Sequence, residues 1–440
     1  MNSFNILFIV KEVKMEYLGI MYLISALKSH GHNVFLIRKD TMKDNDFFKK
    51  IEDISPQFIC YSVCAGSEKY YFNLDALIQQ KLPNLKYKSL YGGPAVTFNP
   101  EKFVGKNFIR GEGEKNIINF INNKPINDLQ LVDINDIPDA DRELVYNEPS
   151  IRLNPIKNMI TRRGCRFNCA YCFNHKWNAL HKGQCKNIIR LRSIENVINE
   201  ALSLKEKWQP LKMIHIMDDG FVKPIEWLKE FAPIYKEKVN IPFICNVHPN
   251  DITEESADIL AKAGCAVISL AIESASDENR KNILNRVGTK AQVKKAIQIC
   301  NKYHIRTRLQ NIIGLPVQDS LADAFETLDF NLECKPTTSW CAILQCYKGT
   351  KIYEKAKSDN YIPDDDSVDE GFFGISTLKI KNKKYIERLH KLWPLINAYP
   401  LLRLIAPLLI RIPLPFGVYV SIFNITKRKL SERDLWKVFK

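Results

Sequence analysis

Alternation is what most constrains this chain: strand-length apolar runs recur, and stretches with helical apolar spacing separate them. Asn5 to Val10 (NILFIV) predicts a buried strand, Tyr17 to Leu27 a helix stopped at Gly31, and Val34 to Ile37 a second strand. Phe58 to Ser62, Ser89 to Tyr91 and Phe108 to Ile109 continue the series, and Glu114 to Ile121 supplies its last helix. Such alternation predicts an α/β fold, with a doubly wound parallel sheet over residues 1–125. The polar breaks Gly92-Gly93-Pro94 and Gly111-Glu112-Gly113-Glu114 fall at strand ends, where backbone N–H groups and helix starts can meet a ligand. His30 and His32 flank Gly31 and read as surface turn residues.

Pro125, Pro138, Pro149 and Pro155 punctuate a linker over residues 126–157. A second alternating series follows. Its strands are expected at 159–161, 213–217, 243–247, 266–272, 309–313 and 341–345, with helices at 194–207, 225–236, 254–262, 290–303 and 321–333. Six such units predict a partial (β/α)6 TIM-type barrel over residues 158–355, with reactive groups at the carboxyl ends of its strands. Residues 356–440 form a basic, apolar, helical carboxyl-terminal region.

Charge is unevenly placed. Lysine plus arginine outnumber acidic residues 64 to 49, a net +15, and fourteen basic residues against three acidic ones lie between Lys379 and Lys440. No carboxylate side chain stands between Glu387 and Glu432. A tail like this fits an anionic surface, either lipid headgroups or a phosphorylated substrate; a solvated basic face is the plainer alternative. The apolar stretch 389–425 is broken by five prolines (394, 400, 407, 413, 415), which leaves no run long enough to span a membrane. Short helices in a membrane interface and helices packed under the barrel both fit it. No aromatic-interleaved basic motif calls for nucleic acid. Twelve cysteines without a secretory signal place the chain in a reducing cytoplasm, with room for peripheral contact at the inner membrane face.

Three of those cysteines carry chemistry. Cys165-x-x-x-Cys169-x-x-Cys172 follows directly on the first barrel strand. Four thiolates close every iron of a [4Fe–4S] cube, whereas three leave one iron open for reaction. Gly164 permits a tight turn, and Arg162, Arg163 and Arg166 bring positive charge. Zinc is the competing occupant, since His175 is a candidate fourth ligand.

The motif resembles the radical S-adenosylmethionine (SAM) superfamily, whose signature is Cys-x-x-x-Cys-x-aromatic-Cys; Tyr171 fills the aromatic slot. The resemblance continues through Met217-Asp218-Asp219-Gly220-Phe221, Ala271-Ile272-Glu273-Ser274, Gly314-Leu315-Pro316 and Tyr347-Lys348-Gly349-Thr350, each at a strand end. It implies one [4Fe–4S] cluster on Cys165, Cys169 and Cys172. It also implies SAM contacts at Asp218, Asp219, Glu273, Gly314 and Tyr347, and a 5′-deoxyadenosyl radical formed by reductive cleavage of SAM. An external electron donor such as flavodoxin or ferredoxin is implied as well.

Residues 1–125 resemble the cobalamin-binding domain of one branch of this superfamily, through Leu18-Gly19-Ile20, Tyr91-Gly92-Gly93-Pro94 and Arg110-Gly111-Glu112-Gly113-Glu114. Cobalamin is the implied cofactor, with Ser62, Gly92, Gly93, Gly111 and Glu114 on its face. Many such domains present a histidine to cobalt in an Asp-x-His-x-x-Gly loop, and Val10 to Gly19 holds none. Only Cys60 and Cys64 lie in the amino-terminal domain and no cysteine follows Cys346, so neither a methylthiotransferase nor an auxiliary-cluster enzyme is expected. Cys245, Cys265, Cys300, Cys334 and Cys341, in or beside expected strands and helices, read as small buried hydrophobes.

The reading that follows is a cobalamin-dependent radical SAM methyltransferase acting on a carbon centre of a small-molecule or lipid-like substrate. Its rivals are an oxidative cyclase or rearrangement enzyme with the same cluster, and a non-catalytic iron–sulfur or membrane-surface binding protein.

Overall fold

The computed structural model describes residues 3–12, 16–184, 187–365, 368 and 370–427; Cys185 and the tail beyond Lys427 lie outside them. The chain divides into two compact units, residues 1–162 with 176–211 and residues 163–175 with 212–440. The fold is a four-stranded parallel sheet, a half-barrel of six parallel strands and a helical carboxyl-terminal region.

In the first unit, β1 (Asn5–Val10), β2 (Asn33–Arg38), β3 (Phe58–Ser62) and β4 (Lys88–Gly92) run in the order β2-β1-β3-β4, all parallel. Strand periodicity splits β1 between two cores. Ile6, Phe8 and Val10 pack with Ile20, Ile24 and Leu27 of the helix Leu18–Ser29 and with Ile117 and Ile121 of the helix Glu114–Ile121. Leu7 and Ile9 pack with Phe47 and Ile51 of Asp44–Ile54 and with Leu74 and Ile78 of Glu68–Lys81. Burial on both faces is why these strands are continuously apolar rather than alternating. The expected strand at 108–109 is a single parallel bridge, Tyr91 to Phe108.

His32 corrects the surface-turn expectation. It is 4 % exposed and stacks on Phe4, whereas His30 is exposed and bonds the Ala26 carbonyl. His32 immediately precedes β2, so it sits at the amino edge of the sheet.

The stretch 126–157 carries the short helices Glu143–Tyr146 and Pro149–Arg152, then β5 (Ile156–Met159). Its Arg142 is buried. The guanidinium donates to Glu16 (3.0 Å), Glu200 (2.8 Å), the Tyr146 hydroxyl (3.1 Å) and the Asn158 carbonyl (2.7 Å). Two-residue strands β6 (Arg162–Arg163) and β7 (Arg190–Leu191) follow.

The second unit is built on β8 (Met213–Ile216), β9 (Phe243–Asn246), β10 (Cys265–Glu273), β11 (Arg306–Ile313) and β12 (Thr338–Ile343), parallel neighbours in that order. Ile225–Ile234, Glu254–Ala263, Lys290–Lys302 and Ser320–Cys334 connect them, the second and third opened by capping boxes at Thr253 and Thr289. The helix Lys383–Ala398 packs on β12 and on Ser320–Cys334. Trp393 is fully buried there and donates to the Ser339 hydroxyl at 2.8 Å. Beyond it, Pro400–Leu404, Ala406–Leu409 and Phe416–Thr426 leave Leu401, Leu404 and Leu408 82 %, 79 % and 65 % exposed. Packing, one of the two expectations for the broken apolar stretch, is what the structure shows: Lys383–Ala398 and also Ala406, Ile410 and Tyr419 of the segments after it are buried in one core.

Candidate active site

The three thiols belong to one loop of the second unit. Gly164 opens it at φ +98°, a conformation glycine adopts without strain, so the turn expected of it is present. Cys169 is buried, and Cys165 and Cys172 are half-buried. Backbone N–H groups already aim at the sulfurs: Phe167 at Cys165, and Asn174 at Cys172, 3.5 Å away. Burial pushes the Cys165 thiol up to about 11 and Cys172 to about 12, and the Asp219 carboxyl adds to both. Thiols held so far up stay protonated until a metal displaces the proton. Among the described residues, no three His, Cys, Asp or Glu side chains converge as the ligands of one metal ion do.

His175 is built into the backbone rather than offered as a fourth ligand. Its Nε2 accepts the Lys351 N–H at 3.3 Å, which leaves Nδ1 to donate to the carbonyls of Cys169 (3.2 Å) and Cys172. The donor set is therefore three thiols on one short loop. That set suits a cluster with one open iron better than a closed zinc site.

The strand ends expected to hold SAM lie in the same unit. Asp218 follows β8, buried, with its carbonyl accepting from Asn246 at 3.1 Å. Asp219 is exposed to solvent; the protein atoms around it raise its carboxyl, and a hydrogen bond from Asn174 opposes this. Glu273 ends β10, where the register against β11 shifts and φ reaches +69°. This bulge turns its carboxylate onto the Tyr171 hydroxyl, which donates at 2.7 Å. Burial raises the Glu273 carboxyl, with Arg286 acting against it. Gly314 follows β11 beside Ile343, Ile380 and Ile386. Tyr347 follows β12 and stacks on Phe173, centroids 5.8 Å apart.

Two contributors escape sequence reasoning. Phe173 directly follows the last cysteine, and its pairing with Tyr347 has no spacing signal. Arg286 stands 117 positions from Cys169, yet its Nη1 lies 3.6 Å from that sulfur and 3.1 Å from the Tyr171 hydroxyl. Arg166, expected beside the thiols, has its guanidinium paired with Asp251 and lying over the Phe167 ring.

In the first unit, Ser62, Gly92 and Gly93 sit at the carboxyl ends of β3 and β4. Gly111 lies just past the segment that bridges to β4, its N–H 3.0 Å from the Thr97 hydroxyl, and Glu114 starts the helix Glu114–Ile121. All five thus gather on one edge of the sheet. Gly93 takes φ +100° and ψ −175°, and a Cβ there would stand 2.8 Å from the Val63 carbonyl oxygen. Glu112 is structural instead: it pairs with Arg190 and accepts the Val132 N–H at 2.8 Å. At Gly93 and Gly111 the positive φ and the Val63 and Leu129 atoms that a Cβ would meet require glycine, whereas at Gly92 the nearest atom to a Cβ is 3.9 Å away.

Residues 159–328 match the family model of the Radical SAM superfamily. An uncharacterized methyltransferase of Pyrococcus horikoshii is 25 % identical over 391 residues, 78 % of this chain and 79 % of that protein. A cytidylyl-2-hydroxyethylphosphonate methyltransferase of Streptomyces wedmorensis is 25 % identical over 177 residues, 39 % of this chain and 31 % of that protein. Among solved structures, the cobalamin-dependent SAM radical enzyme OxsB, with aqua-cobalamin and SAM bound, aligns at a TM-score of 0.70 and 17 % identity. It covers 90 % of this chain and 67 % of its own. The radical SAM methyltransferase TsrM of Kitasatospora setae, with tryptophan and a SAM analogue bound, aligns at 0.63 and 15 % identity, covering 81 % and 76 %.

Proposed function

We propose that this chain, whose residues 159–328 match the Radical SAM superfamily, is a cobalamin-dependent methyltransferase acting on a carbon centre of a small-molecule or lipid-like substrate. The observation that carries the reading is the presence in one chain of a three-thiol loop and of a parallel sheet whose carboxyl edge is lined by Gly92, Gly93 and Gly111. The names borne by the two relatives, and the ligands bound in OxsB and TsrM, support it.

When bound, a [4Fe–4S] cluster and SAM supply a 5′-deoxyadenosyl radical and cobalamin supplies the methyl carrier, with electrons drawn from a donor such as flavodoxin or ferredoxin. Cys165, Cys169 and Cys172 hold the cluster. Asp218 and Asp219 suit the SAM amino group, Glu273 its ribose, and the backbone at Gly314 with the Tyr347–Phe173 pair its adenine. Ser62, Gly92, Gly93, Gly111 and Glu114 face the cobalamin.

The test is anaerobic reconstitution with cobalamin and a reductant, assaying 5′-deoxyadenosine and S-adenosylhomocysteine together. Both products, with cobalamin retained through gel filtration, are expected. Deoxyadenosine alone would move the assignment to oxidation or rearrangement, and a full cluster that never cleaves SAM would favour a binding protein.

The second part of the proposal is that the carboxyl-terminal region lies against an anionic lipid surface. Leu401, Leu404 and Leu408 project from a stretch that carries Arg411 and Lys427 and no carboxylate, its Arg403 being paired with Asp329. Apolar area and positive charge together are what an anionic interface rewards. No described helix is long and apolar enough to cross a membrane. Sedimentation with vesicles of phosphatidylglycerol and phosphatidylcholine should fall severalfold in a variant combining Leu401→Glu, Leu404→Glu and Leu408→Glu. Equal sedimentation of variant and parent would sink the idea.

A further inference from the structure

We infer that residues 284–286 clamp the three-thiol loop, and that Arg286 is the positioning residue through which the clamp sets the electron affinity of a cluster held there. This rests on the cluster reading above and goes beyond it, since Arg286 belongs to none of the motifs that carry that reading.

Four consecutive positions of the loop are held by three consecutive positions of the clamp. The Asn285 amide donates to the Asn168 carbonyl at 2.8 Å, and the Leu284 carbonyl accepts the Ala170 N–H at 2.7 Å. Arg286 takes the two positions that remain, through the Cys169 sulfur at 3.6 Å and the Tyr171 hydroxyl at 3.1 Å. Its other nitrogen donates to the Ala271 carbonyl at 2.8 Å, which ties the guanidinium to β10. Glu273 lies 3.9 Å away as the counter-charge, and both side chains are about a tenth exposed or less.

Geometry and charge assign the role. A planar guanidinium anchored on a backbone carbonyl cannot swing away from the sulfur without giving up bonds on both sides. A cation donating to a ligand sulfur favours the cluster state with the extra electron, and hydrogen bonds to sulfur are among the levers that set such potentials. Weak screening at a buried pair keeps that influence from being washed out by salt. Tyr171 transmits the same restraint to Glu273, so one side chain orders both the middle cysteine and a carboxylate expected at SAM.

The test uses the full chain reconstituted with iron and sulfide and titrated with a redox dye in the absence of SAM, with the reduced cluster read by electron paramagnetic resonance. At the poise where the parent is half reduced, Arg286→Gln should lower the reduced-to-oxidised ratio roughly tenfold, which is 59 mV for one electron. Arg286→Lys, which keeps the charge, should stay within about threefold of the parent. An Arg286→Gln protein with a full cluster and a ratio within about threefold of the parent would overturn the inference. Should Arg286→Gln load poorly because Glu273 is left buried without its cation, the comparison moves to a Glu273→Gln background. The double variant must then fall below the single by the same factor. A parent protein that takes no cluster would defeat the functional reading, whereas an intact cluster with an unmoved potential defeats this inference alone.

Discussion

Replacing Gly93 with alanine tests the carboxyl edge of the first sheet, because the structure gives it a neighbouring control. At Gly93, φ +100° with ψ −175° is a region nearly reserved for glycine, costing a side-chain-bearing residue about 2 kcal/mol. The added Cβ would also stand 2.8 Å and 2.9 Å from the Val63 carbonyl oxygen and nitrogen, and 3.3 Å from the Ser62 hydroxyl. Backbone cannot yield as a side-chain tip does, so overpacking adds about another 2 kcal/mol. At Gly92 a Cβ meets only the Ile109 carbonyl oxygen, at 3.9 Å. Gly93→Ala should therefore destabilise the first unit by about 4 kcal/mol, or shift Ser62 and Val63 to escape that cost, while Gly92→Ala stays within about 1 kcal/mol. The assays are the guanidinium midpoint and the cobalamin retained through gel filtration. Gly93→Ala should lose on both and Gly92→Ala should keep its midpoint. Indistinguishable midpoints would refute the reasoning, and a Gly93→Ala protein that unfolds early yet binds cobalamin normally would remove this edge from the cobalamin site.

Alanine at Cys165, Cys169 or Cys172 should abolish the visible iron–sulfur absorbance after reconstitution. Cys341→Ala should leave it intact, since Cys341 is buried away in the packing under the helix Lys383–Ala398; absorbance lost at Cys341 would mean the ligand set is wrong. In the metal-free protein, Cys165 and Cys172 hold their protons more tightly than an unfolded thiol does. Its stability should fall as pH rises past about 8.5, and reconstitution at limiting iron should improve over the same range; a flat pH profile for both would contradict the buried-thiol account. Burial lowers His215, His248 and His390 to about 3, so the fold binds fewer protons there than the unfolded chain. Stability present above pH about 6.5 should be lost progressively as pH falls toward 3, measured by denaturation midpoints, and His390→Phe should flatten that slope.

What could be read in the sequence follows the range of the interactions involved. The helix expected at 194–207 spans Ile194–Lys207, and apart from the single bridge at Phe108 the strands of both series lie within a few residues of their apolar runs. These elements are set by neighbours in the chain, so local pattern reports them. Pattern failed at His32, because a histidine beside a turn glycine looks solvated until Phe4, from another strand's entry, covers it. It failed at 126–157 for a related reason. Proline marks where the chain cannot be regular, but it says nothing of Arg142, whose burial is stabilised by carboxylates from residues 16 and 200.

The cluster loop divides in the same way. Its cysteines had to be close in sequence, because one short loop must present three sulfurs, and closeness made them legible. The group that touches the middle sulfur had no such constraint. Arg286 needed only to arrive on a neighbouring connection after β10, and nothing about a lone arginine after a short helix distinguishes it from a solvated one. The arginines that spacing did favour illustrate the difference: Arg166 sits next to a ligand in sequence, yet its charge is taken up by Asp251. Adjacency along the chain fixes where a backbone goes, whereas a long side chain's partner is decided by whichever charge the fold brings within reach. Residues that orient a first set of ligands are therefore the part of a site that sequence motifs systematically miss, and they are also where relatives with the same three cysteines are free to differ in reactivity.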